Sequence, residues 1–281
     1  METSEVEVNG TRFVVSTIGS AALPAVVVLH GFPDDRIGIS DLANRIADGG
    51  FFCIVPDQRG CGESDAPADA RSYATNRLVD DVEGILSELG VERAHVVGHD
   101  WGGAVGWTAA MQHRPWLDRL VAINVPHPSS FVIFARRQPR QLMKSWYMAF
   151  FQLPKLPEWA LGRREFRPLA ATLRSTAADG VFDRATLDRY RAVWARPGVI
   201  TGMLNWYRGV RHTPAPAGTR VDAPTLVIWG DGDAVLDARL ADLSAGRCMN
   251  ARVVHLPGLG HWPHLESPEA VAGLVTEHLR A

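Results

Sequence analysis

The chain has 281 residues, 46% hydrophobic and 21% charged, enough for one large core with an appended lid. A net charge of −2 and a pI near 6.6 leave no electrostatic footprint for nucleic acid. No stretch approaches the roughly 18–20 uninterrupted apolar residues of a membrane span, and the first residues lack the basic-then-apolar pattern of a secretory signal.

In chain order, residues 6–8 and 13–16 read as an antiparallel pair around Asn9-Gly10, a hairpin dipeptide. Short apolar runs bounded by turn residues follow at 25–29, 51–55, 94–97, 120–124, 225–229 and 252–256, the pattern of strands buried on both faces. Helical patterns lie between most of them, at 40–47, 76–89, 103–113, 238–245 and 268–280. The last has Ser267 at its N-cap and Pro268 at its first position. Strand–helix alternation predicts an α/β protein with a mostly parallel, doubly wound sheet. The alternation breaks over residues 128–216, which hold four of the nine tryptophans and three of the four tyrosines. This stretch reads as helices, one containing Met148, Phe150 and Phe151 and another Tyr190 and Trp194. Inserted after the sixth strand, it forms a lid over the carboxyl ends of the strands, where open α/β sheets bind ligands. The core is then 1–127 with 217–281. Most of the lid aromatics are expected to pack it onto that core.

Residues 98–102 read Gly98-His99-Asp100-Trp101-Gly102, between a strand and a helix. Glycines flanking one reactive residue allow a turn too sharp for side chains on either side, and that residue is pushed out at the strand end. Serine is usual there. Aspartate is already ionised at neutral pH and can displace a leaving group from an sp3 carbon without prior deprotonation. The covalent ester it leaves must be hydrolysed, which calls for a histidine base, an acid to orient it and backbone donors for the oxyanion.

Each has a candidate. His261 lies in a Gly-rich loop, 258–263, just after the last strand. Other histidines, including His30, His99 and His127, read as structural. Asp233, just beyond the strand at 225–229, is the acid, with Asp231 and Asp237 as rivals by proximity. The oxyanion donors are the amides of Trp101 and of Phe32, the latter in His30-Gly31-Phe32-Pro33, where Pro33 has no N–H to offer.

These segments, with Asp57-Gln58-Arg59-Gly60 and Gly260-His261-Trp262, resemble the α/β-hydrolase-fold epoxide hydrolases and their dehalogenase relatives over essentially the whole chain. The resemblance implies an Asp100–His261–Asp233 triad and a two-step reaction through a hydroxyalkyl-enzyme ester. It also assigns Tyr147, in Ser145-Trp146-Tyr147, and Tyr207, in Asn205-Trp206-Tyr207, as the paired lid tyrosines that protonate the opening epoxide oxygen. A phenol suits that task, because an epoxide oxygen departs as an alkoxide and a halide does not. Trp146, Phe150 and Trp206 are expected to line the substrate pocket.

Dehalogenation is the runner-up reading. Fluoroacetate dehalogenases resemble this chain but carry an arginine after the nucleophile, where Trp101 stands. Their lid has a tryptophan at what looks like the Tyr147 position. Haloalkane dehalogenases share the Asp-Trp pair but often have asparagine in place of Phe32. A ligand-binding protein on an inactive hydrolase scaffold would have lost part of the constellation, and no member is missing. The expected partner is a small-molecule epoxide. No metal or organic cofactor, nucleic acid or membrane is expected, and the oligomeric state stays open. Cys53, Cys61 and Cys248 are odd in number and lack metal-like spacing, so they read as thiols in a reducing cytoplasm.

Overall fold

The computed structural model describes residues 1–214 and 219–281. Eight strands form one sheet: β1 (Glu2–Val8), β2 (Thr11–Ile18), β3 (Ala25–Leu29), β4 (Phe52–Pro56), β5 (Ala94–His99), β6 (Leu117–Ile123), β7 (Thr225–Gly230) and β8 (Ala251–Leu256). Their order is β1-β2-β4-β3-β5-β6-β7-β8. The first two pairings in that order, β1 with β2 and β2 with β4, are antiparallel, and every later pairing is parallel. The chain therefore has the α/β-hydrolase fold. The opening hairpin turns at Asn9 and Gly10, both at positive φ, as a two-residue turn requires. Its strands run longer than the apolar runs suggest, because the first lies at the sheet edge and carries an exposed polar face.

The side-chain period of two divides the central strands between two apolar layers. Val26 and Val28 of β3, with Val97 of β5, pack against α1 (Ser40–Asp48) and, at the other end of the chain, α12 (Pro268–Arg280). Val27 and Leu29, with Val96, face α2 (Thr75–Glu88) and α3 (Trp101–Met111). Ser267 holds the N-cap position of α12, but its hydroxyl makes no capping bond; Pro268 alone marks that start.

Between β6 and β7 the chain leaves the sheet and forms α4 (Pro128–Arg137), α5 (Pro139–Lys144), α6 (Trp146–Phe150), α7 (Leu156–Thr176), α8 (Arg184–Trp194) and α9 (Val199–Gly209). The expected end of the lid at residue 216 and restart of the core at 217 lie outside the described residues. Two further helices, α10 (Arg239–Ala245) and α11 (Pro263–Glu266), flank β8. No described helix is long and apolar enough to cross a membrane.

Aromatic groups fasten the lid by their polar ends. The Trp194 indole donates to the Pro33 carbonyl at 2.9 Å, the Tyr190 hydroxyl to Asp34 at 2.6 Å, and the Trp206 indole to the Arg59 carbonyl at 2.8 Å. Arg189 adds a 2.6 Å ion pair to buried Asp35. Three of these anchors hold Pro33, Asp34 and Asp35, the residues that follow Phe32, so the docked lid also braces the β3 loop.

Candidate active site

Asp100 stands between β5 and α3 at φ 48° and ψ −121°, a conformation that costs about 1–3 kcal/mol for a residue with a side chain. The close approach that enforces it needs glycine. A Cβ on Gly102 would meet the Leu29 carbonyl, and one on Gly31 would meet the Asp100 side chain. The turn directs the carboxylate towards two amides. The Phe32 N–H donates to Asp100 Oδ1 at 2.9 Å, and the Trp101 N–H also bonds the carboxylate. Asp100 Oδ2 faces His261 Nε2 at 3.8 Å.

The other ring nitrogen of His261, Nδ1, bonds Asp233 Oδ2 at 2.8 Å. Asp233 Oδ1 accepts from the Val235 and Leu236 amides at 2.7 and 3.0 Å. Its two rivals sit elsewhere: Asp231 bonds His255, and Asp237 pairs with Arg239. The His261 backbone is held on three sides. Its N–H donates to Thr176 at the end of α7, its carbonyl lies 2.8 Å from His99 Nε2, and the Glu266 carboxylate accepts from the neighbouring Gly260 amide at 2.6 Å.

Sequence reasoning missed two of these supports. Asn124 donates its Nδ2–H to Asp233 Oδ2 at 2.8 Å while its Oδ1 accepts from Gly230 N–H at 2.9 Å. The apolar run 120–124 places it at the end of a strand, but it sits just past β6 at φ 45°, which asparagine tolerates. A polar residue closing an apolar strand beside the elbow was the available signal. Glu266 had none, since its role depends on the loop that folds back over it.

A cavity of about 640 Å³ opens above Asp100. Tyr147 and Tyr207 line it together with Asp100 and Trp101, and the two phenol rings meet edge to face with centroids 5.9 Å apart. Ala104, Thr108 and Met111, at helical spacing on α3, continue the wall away from Asp100. The three aromatics expected in the pocket are not on this wall. Trp146 turns outward into solvent. Phe150 stacks between Trp146 and Phe151. Trp206 is buried behind the site, between the His30 and Trp101 rings. Trp146 and Trp206 each stand one helix position before a cavity-facing tyrosine, and that step of about 100° turns them off the wall. Met148 takes their place on the wall.

Residues 24–268 match the family model described as the alpha/beta hydrolase fold. The chain is 36% identical over 276 residues to the AB hydrolase superfamily protein YfhM of Bacillus subtilis (strain 168), covering 98% of this chain and 96% of that one. It is 32% identical to Epoxide hydrolase 4 of Mus musculus, covering 97% of this chain and 77% of the relative. This protein belongs to the α/β-hydrolase-fold epoxide hydrolase family. Among solved structures, Epoxide Hydrolase A from Mycobacterium thermoresistibile superposes with a TM-score of 0.83 at 27% identity, over 100% of this chain and 98% of that one.

The electrostatics of this epoxide hydrolase site follow from three ionisable groups sharing one buried volume. Burial raises the Asp100 carboxyl above the ordinary range, against the pull of the His261 charge and the two amides. Burial also opposes ionisation of Asp233, but the His261 charge and hydrogen bond, with Asn124, outweigh it and hold that carboxyl below the ordinary range. For His261, burial lowers the imidazole pKa, and the Asp233 and Asp100 charges overcome it, giving about 8. Its ring should therefore titrate near 8 in the free protein, followed by its NMR ring-proton shifts. Asp233→Asn removes the largest raising influence and leaves burial in place, so the pKa should fall below the ordinary value of about 6.5. An unchanged titration in that variant would show that Asp233 is not what charges the imidazole.

Proposed function

We propose that this protein hydrolyses epoxides to vicinal diols through an ester on Asp100. The observation that carries the reading is the placement of two phenols, Tyr147 and Tyr207, on the wall of the cavity that exposes the Asp100 carboxylate. Burial raises both phenol pKa values, so both keep their protons at neutral pH and remain donors. The relatives named epoxide hydrolases support the same substrate class.

In the first step Asp100 Oδ2 attacks an oxirane carbon. The C–O bond breaks towards the ring oxygen, which accepts a hydrogen bond and then a proton from the tyrosine pair. Oδ1 stays with the Phe32 and Trp101 amides and becomes the ester carbonyl oxygen. Esterification removes the Asp100 charge, one of the influences that raise the His261 pKa. The imidazole is then more readily neutral when a base is required. In the second step His261 Nε2 takes a proton from water, which attacks the Asp100 carboxyl carbon. The oxyanion forms on Oδ1 between the two amides. On collapse the C–Oδ2 bond breaks, the protonated His261 gives its proton to Oδ2 as the diol leaves, and the second proton of the water passes from the new Asp100 carboxyl back to the tyrosine pair. Asp233 orients the imidazole and balances the charge it gains. Side chains and water supply every proton and electron pair in this sequence. A halide displaced from carbon by the same aspartate would depart as a stable anion without a proton, so dehalogenation would not call on the two phenols as acids.

His261→Gln should trap the ester, since alkylation does not need the base and hydrolysis does. Intact-protein mass spectrometry after incubation with styrene oxide should show a persistent substrate-sized adduct on the peptide containing Asp100. Recovery of unmodified protein would remove His261 from the hydrolytic step. Tyr147→Phe and Tyr207→Phe should each slow ring opening, by up to about 10²–10³ for loss of one transition-state donor. Two donors on one oxygen partly cover for each other, so the double variant should lose nearly all diol formation. Near-normal turnover by the double variant, or halide release from haloalkanes in place of diol formation, would sink the epoxide assignment.

A further inference from the structure

The overall charge of −2 hides a strong separation. Residues 128–216 carry 15 arginines and lysines against 5 acids, a net charge of +10, so the remaining residues, with 14 basic and 26 acidic side chains, carry −12. Part of the lid charge is spent on the core, through Arg189 to Asp35 and Arg196 to Glu63. Another part is not. Arg136, Arg137, Arg140, Lys155, Arg163, Arg164 and Arg167 are all exposed, and none forms an ion pair among the described residues, whereas Lys144 donates to the Asp233 carbonyl of the core at 3.3 Å. Between residues 136 and 167 the acids are Glu158, neutralised by Arg208, and Glu165.

Large apolar side chains are exposed among these cations. Leu142 is 63% exposed, Met143 66%, Trp146 65% and Trp159 59%. The Arg163 guanidinium lies over the Trp159 ring at 4.5 Å. The lid thus presents aromatic and aliphatic groups in a field of unpaired positive charge, whereas a lid face that only met water would be expected to expose polar side chains. The same surface adjoins the cavity. Val132 and Ile133 of α4 line the cavity yet are 45% and 41% exposed, so the cavity opens beside α4, one proline-led turn before α5 brings Leu142 and Met143 to the surface.

We propose that the lid face formed by α4 to the first half of α7 docks on an anionic lipid surface. Cations attract the phosphate headgroups, and the tryptophan, leucine and methionine side chains enter the boundary with the acyl chains. Stable peripheral binding takes two such signals together. The cavity mouth then faces the bilayer, where apolar molecules dissolve. This peripheral contact needs no spanning helix, so it stands beside the absence of one in the described residues.

Co-sedimentation of the full chain with vesicles tests this without reference to catalysis. Vesicles of phosphatidylcholine mixed with phosphatidylglycerol should bind the protein, vesicles of phosphatidylcholine alone should bind it at least tenfold more weakly, and high salt should weaken the binding to the mixed vesicles. Each cation near an anionic surface contributes about fivefold, so the triple variant Arg136→Glu, Arg137→Glu, Arg140→Glu should lose more than about a hundredfold. Leu142→Ser with Met143→Ser should also release the protein, which pure charge attraction would not predict. Circular dichroism melting checks that both variants remain folded. Equal and negligible binding to both vesicle types would overturn the proposal. So would a dimer, seen by sedimentation velocity, that leaves the vesicles unbound and is dissolved by Leu142→Ser with Met143→Ser, since a second copy would then cover this face.

Discussion

The site depends on a backbone constraint at Asp100. Its positive φ turns the chain from β5 into α3 within one residue, and the same turn fixes where the carboxylate can point. Because α3 starts immediately afterwards, the Trp101 amide is one of the unpaired N–H groups at a helix start and is free to meet an anion. Parallel register with β3 brings Leu29 opposite Gly98, which carries the following loop and the Phe32 amide over the elbow. A small shift of that loop would separate the carboxylate from its donor. The hydrogen bonds from Trp194 and Tyr190 to the next two residues hold the loop against such a shift.

Around the elbow, charge is arranged to be shared. Two carboxylates and one imidazole share a largely buried volume in which Asp100 lines the cavity, and an isolated charge there would be costly. His261 relieves both acids, while Asn124 and two backbone amides stabilise Asp233. The result is a histidine whose protonation is coupled to the state of Asp100. A site with Asp233 neutral, or with Asn124 unable to reach it, would leave the imbalance on the imidazole. The nearby His99 and His264 do not share this charge. Burial and the His261 charge lower the His264 pKa to about 3, and burial with both neighbouring imidazoles pulls His99 well below the ordinary range. They surround the loop as neutral rings.

The lid shows how one segment can serve packing and surface at once. Tyr190, Trp194 and Trp206 have buried rings and polar ends tied to the core. Trp146 and Trp159 are also large and aromatic, and they are exposed. Hydrophobicity alone does not separate these two groups, because either kind would be placed inside by the usual burial of aromatics. What separates them is the face of its helix that each occupies, and that facing is a property of the packed lid.

The strand–helix alternation, the insertion after the sixth strand and the chemistry-bearing residues of the elbow can be read from the order of amino acids alone. Those signals are local: period-two apolar runs, glycines flanking one aspartate, and a histidine in a Gly-rich loop after the last strand. Asp100, Phe32, Asp233, His261, Tyr147 and Tyr207 could all be named from them with the family resemblance. That Asp233 meets His261 while Asp231 meets His255 is fixed by packing, since both leave the same turn two residues apart and their directions differ through the fold. Packing also decides that Asn124 supports the acid from a different strand, and that Trp146, Phe150 and Trp206 stand off the cavity wall while Met148 and the α3 face form it. The physical reason is the same in each case. A residue's chemistry is written in its own side chain, but its partners lie 28 to 109 positions away and are selected by register, helix rotation and the close contacts that glycine permits.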